Sequence, residues 1–188
     1  MKKINNKFCY VTNIYEWIDG IVFAIMILVF IFSTFIRTSI VSGESMYPTL
    51  EDGDRLILQN ILYEPTAGDI VVLTHQTNYN VPIVKRIIAT QGQTIDINYL
   101  TGDVLVDNIK VVEPYINEVT RVDGSLSDGT LPTKLPSIVP KGKVFVMGDN
   151  RNHSEDSRFA EVGMIDDRYI LGQAVFRMFP FDKLGTIK

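Results

Sequence analysis

Three segments of this chain carry residue types able to do chemistry. The first is GESMYPTL (Gly43–Leu50), where Pro48 fixes its own φ and restricts Tyr47, so that Ser45 sits in a stiff turn with its hydroxyl presented outward. A serine so held can serve as a nucleophile if a base lies beside it, and otherwise reads as a solvated turn former. It is not the G-x-S-x-G elbow of the α/β-hydrolases, because Tyr47 occupies the second glycine position. The second is PIVKRIIA (Pro82–Ala89), an apolar run on an expected strand. Strand alternation puts Lys85 on the same face as Ile83 and Ile87, and Arg86 on the other. A lysine on an apolar face is desolvated, its pKa falls, and a lysine neutral near pH 7 to 8 is a competent general base. The alternative is a lysine that snorkels to the strand edge.

The third segment, MGDNRNHSEDSR (Met147–Arg158), follows a strand and is dense in short polar side chains. Asp156 and Arg158 can pair, Ser154 can donate or accept, and Asp149 and Asn150 can cap the turn. An Asx-rich hairpin loop is the plainer reading of this segment taken alone. His153 lies among hydrophilic neighbours and nothing singles it out for a Ser–His–Asp triad; His75, before a polar loop, is equally uninformative.

The elements that must position these residues are strands. After residue 38 the sequence becomes a series of short β-branched stretches punctuated by Gly, Asp, Asn and Pro. The candidate strands are Arg55–Leu58, Asp69–Leu73, Ile83–Ala89, Thr94–Ile97, Val104–Val106, Val144–Met147 and Gln173–Phe176. Hairpin turns are expected at Tyr99–Asp103 and Asp107–Asn108, and a short helical turn near Asp166–Ile170. Residues 113–142, with four prolines and DGSLSDGT (Asp123–Thr130), read as an excursion forming a small inserted lobe. The expected fold class is mostly β: an antiparallel β-sheet catalytic body with that lobe, preceded by one N-terminal transmembrane helix.

The helix is expected from Gly20–Ile36, 17 residues without a charge, with Trp17 suited to the headgroup level. A buried core helix and a cleavable secretory signal are the alternatives, but no small-x-small cleavage site follows the apolar run. Lys2, Lys3 and Lys7 precede it against the single Arg37 after it, which keeps the N-terminus cytoplasmic. The resulting division is a cytoplasmic N-terminus at 1–16, a signal anchor at 17–37 in the cell membrane, and an extracytoplasmic catalytic domain at 38–188. Ser45 lies eight residues beyond Arg37, within about 26 to 29 Å of the membrane end of the anchor even if the connection is fully extended.

Composition narrows the choice. In 188 residues, 46% are apolar and 21% charged, which suits one globular domain and excludes disorder. The formal charge of −4 and the lack of a basic block make nucleic acid an unsuitable partner. Cys9 is the only cysteine, so an intrachain disulfide, a cysteine protease and a sortase-like thiol transpeptidase are excluded, and with two distant histidines no metal site has supporting spacing. The part after the anchor is net acidic and not built to hold anionic lipid by charge.

Taken together and in this order, the segments resemble the type I signal peptidase family, in particular its Gram-positive branch, in which serine and lysine stand about as far apart as the 40 residues between Ser45 and Lys85. The resemblance covers essentially the whole chain. It rests on SMYPTL (Ser45–Leu50), GDIVVL (Gly68–Leu73), VKRIIA (Val84–Ala89) and GDNRNHSEDSR (Gly148–Arg158), with weaker support from EPYI (Glu113–Ile116) and AVFRMFPF (Ala174–Phe181). It implies a membrane-anchored serine endopeptidase that removes signal peptides from exported preproteins after small residues in an Ala-x-Ala-like pattern, through an acyl-enzyme. Ser45 would be the nucleophile and an oxyanion donor through its backbone N–H, and Lys85 the general base. Ser154 would orient the lysine, Asp156 and Arg158 would brace their loop, and Asp149 would be a further polar support. Met46 and Tyr47, beside the nucleophile, are candidates for contact with substrate or lipid. No metal or organic cofactor is implied; the partners are preproteins, membrane lipid and, as a further candidate, the export translocon.

Three positions depart from the family pattern. Gly43 stands where some relatives carry a serine that completes the oxyanion hole, so the second donor is backbone, water or Ser42. The lysine segment ends Ala89–Thr–Gln–Gly–Gln93 in place of the common Gly–x–x–Gly–Asp, with Gln93 able to cap the turn. After Arg158 the aromatic–Gly element is replaced by Phe159–Ala–Glu–Val–Gly163. Three rivals remain on sequence grounds: a self-cleaving repressor, which needs a DNA-binding or soluble regulatory N-terminus; a catalytically silent signal-peptidase-like assembly factor for surface structures, against which the retention of Ser45, Lys85 and Ser154 argues; and a plain anchored β-domain that binds a partner, which leaves the third segment unexplained.

Overall fold

The computed structural model describes residues 4–35, 37–74, 82–121, 135–159 and 162–187. His75, the loop 76–80, Asp123–Thr130 and part of the Phe159–Gly163 element lie outside the described residues. Contacts divide the chain after Arg37 into two units. The first is helix α1 (Ile4–Phe35), whose side chains are described from Tyr15 to Phe30 and are all exposed. Among the described residues no helix is long and apolar enough to cross a membrane.

The second unit is built from antiparallel sheet. Its strands are β1 (Arg37–Ile40), β2 (Arg55–Gln59), β3 (Ile70–Leu73), β4 (Ile83–Thr90), β5 (Thr94–Asn98), β6 (Asp103–Val106), β7 (Ile109–Lys110), β8 (Ser137–Ile138), β9 (Lys143–Met147), β10 (Ile165–Asp166), β11 (Ile170–Phe179) and β12 (Gly185–Thr186). One sheet runs β1-β2-β11-β3-β4-β9-β10 with β12 beside β11, and a second runs β7-β6-β5-β8. The fold is mostly β and antiparallel. Each expected strand is present, some longer by a residue or more; β11 reaches ten residues because it pairs with β2, β3 and β12 along different parts of its length. Asp107 and Asn108 both take positive φ in the β6–β7 turn, which Asn and Asp tolerate better than most side chains. The expected helical turn is a 3₁₀ helix at Asp167–Tyr169.

Sheet position decides how the site is buried. β2 and β5 show the in-out alternation of strands with one covered face, through Leu56, Leu58, Ile95 and Ile97. β3 is buried throughout and β4 from Val84 to Ala89, so both faces of the central strands are covered. Met46, Leu50, Ile70, Val72 and Val84 pack in one cluster, and Val71, Ile87, Val144 and Val146 in another. Of the described part of 113–142, β8 lies off the larger sheet, in the smaller second one. β8 pairs with β5, and the tip residue Gly102 (φ +80) approaches Val119 and Thr120 so closely that a Cβ there would meet their atoms at 2.8 and 3.0 Å.

Candidate active site

Lys85 lies at the middle of β4, opposite Val71 of β3, and is almost fully buried. Its Nζ donates to Ser45 Oγ at 2.7 Å. The turn that carries Ser45 is held from below: Met46 and Leu50 are fully buried, and the Leu50 N–H donates to the Met46 carbonyl. Burial lowers the Lys85 pKa from 10.5 to about 8, against the opposing pull of the Asp156, Glu155 and Asp149 carboxylates and with the help of the Arg158 guanidinium.

The loop after β9 fits against this pair. Asp156 accepts two bonds from the Arg158 guanidinium, at 2.8 and 2.9 Å, one from the Arg158 N–H at 3.3 Å, one from the Ser154 hydroxyl at 2.9 Å and one from the Gly148 N–H at 3.0 Å. Burial alone would raise the Asp156 pKa, but Arg158, these bonds and the Lys85 ammonium hold it below the ordinary value. The Asn150 N–H donates to the Ser45 carbonyl and its side-chain amide to the Glu44 carbonyl, both at 3.0 Å. Among the described residues no acceptor takes the Ser45 N–H itself.

Several positions differ from the sequence expectation. Ser154 makes no hydrogen bond with Lys85; its hydroxyl turns to Asp156, a charged acceptor within reach. Asp149 does not cap the turn but forms a buried two-bond pair with Arg86, at 2.8 and 2.7 Å, and also accepts from Thr49 of the nucleophile turn. Arg86 is therefore as buried as Lys85, although alternation turns it to the opposite face. Met46 has no exposed surface and packs in a core cluster, whereas Tyr47, 43% exposed, lines a cavity of about 410 Å³ with Glu44, Glu51 and Asp52. His153 is exposed. Gln93 does cap its turn, accepting from the Thr90 N–H at 2.9 Å.

Residues 14–179 match the family described as signal peptidase, peptidase S26. The chain belongs to that family. This peptidase is 38% identical over 186 residues to signal peptidase I T of Bacillus subtilis (strain 168), covering 94% of this chain and 92% of that one. It is 38% identical over 183 residues to signal peptidase IB of Staphylococcus aureus (strain COL), covering 91% and 92%. A crystal structure of a signal peptidase I from Enterococcus faecalis V583 aligns with a TM-score of 0.48 at 23% identity, over 60% of this chain and 98% of that one.

Sequence reasoning missed the residues that hold the peptidase's loop from the side. Arg151 is buried, pairs with Glu113 and donates to the Gly148 carbonyl at 3.1 Å. Tyr115 lies against the Arg86 guanidinium, 3.9 Å from ring centroid to Cζ. The weak EPYI resemblance was the available signal for both Glu113 and Tyr115.

Proposed function

We propose that this signal peptidase, a serine endopeptidase acting on preproteins, cuts through a Ser45–Lys85 dyad. The observation that carries the reading is the 2.7 Å approach of a buried amine to a hydroxyl in a stiff turn. Neutral Lys85 takes the Ser45 proton as Oγ attacks the scissile carbonyl, then gives it to the leaving amine of the mature protein. The signal peptide remains as an ester on Ser45. Water, deprotonated by the same lysine, attacks the ester and frees it.

The Ser45 N–H is an oxyanion donor in this scheme. Gly43 does not supply the second through its own N–H, which donates to Asp52 Oδ1 at 2.7 Å; the Ser42 hydroxyl or a water takes that place. Asp156 with Arg158, Asp149 with Arg86, and Ser154 keep the loop in place beside Lys85. Tyr47 is the candidate for substrate contact, and cleavage after small residues follows the family pattern.

The same reading puts the N-terminal helix in the membrane as a single anchor at 17–37, with residues 1–16 cytoplasmic and 38–188 outside. Support comes from the uncharged run Gly20–Ile36 of the sequence and from the exposed apolar side chains between Trp17 and Phe30, which water does not suit. Lipid and the export translocon are then its neighbours.

The test is cleavage of a preprotein with an Ala-x-Ala site by the purified full chain in detergent, alongside Ser45→Ala and Lys85→Ala. The dyad predicts cutting at that site by the parent and none by either variant. A folded parent that cuts nothing would leave a silent assembly factor as the better description.

A further inference from the structure

Glu113, Pro114 and Tyr115 read from sequence as loop, yet Glu113 and Tyr115 make several side-chain contacts around the site. The Tyr115 ring centroid lies 3.9 Å from the Arg86 guanidinium and 5.9 Å from that of Arg151. Its hydroxyl donates to Glu113 Oε1 at 3.1 Å, and Glu113 in turn accepts two bonds from Arg151. Arg151 also donates to the buried Thr120 hydroxyl at 3.2 Å, and Asn152 ties the backbone at Val119 and Arg121. Residues 113–121 thus form a strap fastened to the loop 148–152 at several points.

Both arginines lead to the dyad. Arg86 follows Lys85 on β4 and, through Asp149, reaches Thr49 four residues after Ser45. Arg151 holds the Gly148 carbonyl and stands next to Asn150, which donates to the Ser45 carbonyl. An aromatic ring gains from presenting its negative face to a cation, so Tyr115 holds to the Arg86 guanidinium at 3.9 Å and more loosely to that of Arg151 at 5.9 Å.

Resting on the dyad reading above, we infer that Tyr115, fixed by Glu113, is a positioning residue for catalysis: it sets the spacing of Arg86 and Arg151 and through them the relative placement of Lys85 and Ser45. It touches neither reacting atom. Its effect belongs on the chemical step, since a displacement of about 1 Å between reacting groups costs on the order of a hundredfold in rate.

The experiment measures kcat and KM on a preprotein for the full chain and for Tyr115→Leu, Tyr115→Phe and Ser45→Ala, with rates normalised to folded protein by circular dichroism. Tyr115→Leu is expected to lower kcat about tenfold or more with KM within about twofold, and Tyr115→Phe, which keeps the ring, to restore most of the loss. A merely structural tyrosine would lose folded protein but not rate per folded molecule. If Ser45→Ala is dead while Tyr115→Leu keeps the parent's kcat, or loses only through a raised KM, the positioning inference is overturned. If Ser45→Ala still cuts, the dyad reading fails and the inference with it.

Discussion

Lys85 Nζ and Ser45 Oγ lie 2.7 Å apart, although 40 residues separate them and each comes from a different kind of structure, a central strand and a tight turn. The strand supplies rigidity and burial, and the turn supplies a hydroxyl whose backbone is pinned by Met46 and Leu50 beneath it. Burial is what makes the amine a base, because a hydrated lysine would be almost wholly protonated at neutral pH.

The pH profile of kcat/KM should therefore show an acid limb with an apparent pKa of about 8, falling tenfold per pH unit below it. Glu155, an exposed carboxylate that favours the Lys85 ammonium, gives the sign of a second result. Glu155→Gln removes that attraction, lowers the lysine pKa and moves the limb to lower pH, by more at low salt than at high. A limb that stays fixed, or moves up, would contradict this electrostatic account.

The same burial costs stability. Because the folded pKa lies below that of the free side chain, the unfolded chain binds more protons between pH 8 and 10.5, and stability rises with pH across that window. Below pH 8 the penalty is fully present, about 3 kcal/mol on the scale of 1.36 per unit. Lys85→Met should thus be inactive yet more stable at pH 7, with the advantage shrinking toward pH 10.5. Urea denaturation of both proteins at the two pH values checks it, and taking the difference cancels other titrating groups such as Tyr63 and Tyr115.

Ser45 and Lys85 each stand out locally, as a serine in a proline-stiffened turn and a cation in an apolar run, but it was the resemblance of the segments taken together that joined them into one candidate site. The principal strands were legible from local pattern. β1, β7, β8, β10 and β12 were not: with two to four residues each, they exist through their pairing partners and have no period of their own. Arg86 was missed as a buried residue because alternation assigns it the face opposite Lys85, and what covers that side chain, Asp149 and the Tyr115 ring, comes from distant sequence. Its partner Asp149 lies 63 residues away. Glu113 and Tyr115 sit in a proline-bearing stretch that reads as loop, and their partners again come from distant sequence.

The Arg86–Asp149 pair allows a prediction about buried charge. Both side chains are out of water, so Asp149→Ala leaves the guanidinium uncompensated and should destabilise by about 3 to 5 kcal/mol. Replacing both, as Arg86→Met with Asp149→Leu, removes the unpaired charge and should recover most of that loss in urea denaturation. Activity should not recover with it, because the bond from Thr49 to Asp149 is gone. A double variant no more stable than the single one would show that the pair is not held together mainly by mutual charge compensation.

Gly148 makes the last and most local prediction. Its φ is not positive, so a side chain is not excluded by backbone conformation; what excludes it is space. A Cβ there would collide with Ser154 Oγ, Ser154 Cβ and the Ser45 carbonyl oxygen. Gly148→Ala should cost about 1 to 3 kcal/mol of stability by overpacking and, by pushing the Ser45 backbone, lower kcat by about tenfold or more. The two effects can be separated. Adding Ser154→Gly removes two of the three collisions and should return part of the stability, while the collision with Ser45 persists and kcat stays low. Recovery of kcat in that double variant would mean that the crowding acts through Ser154 and not through the nucleophile's own backbone.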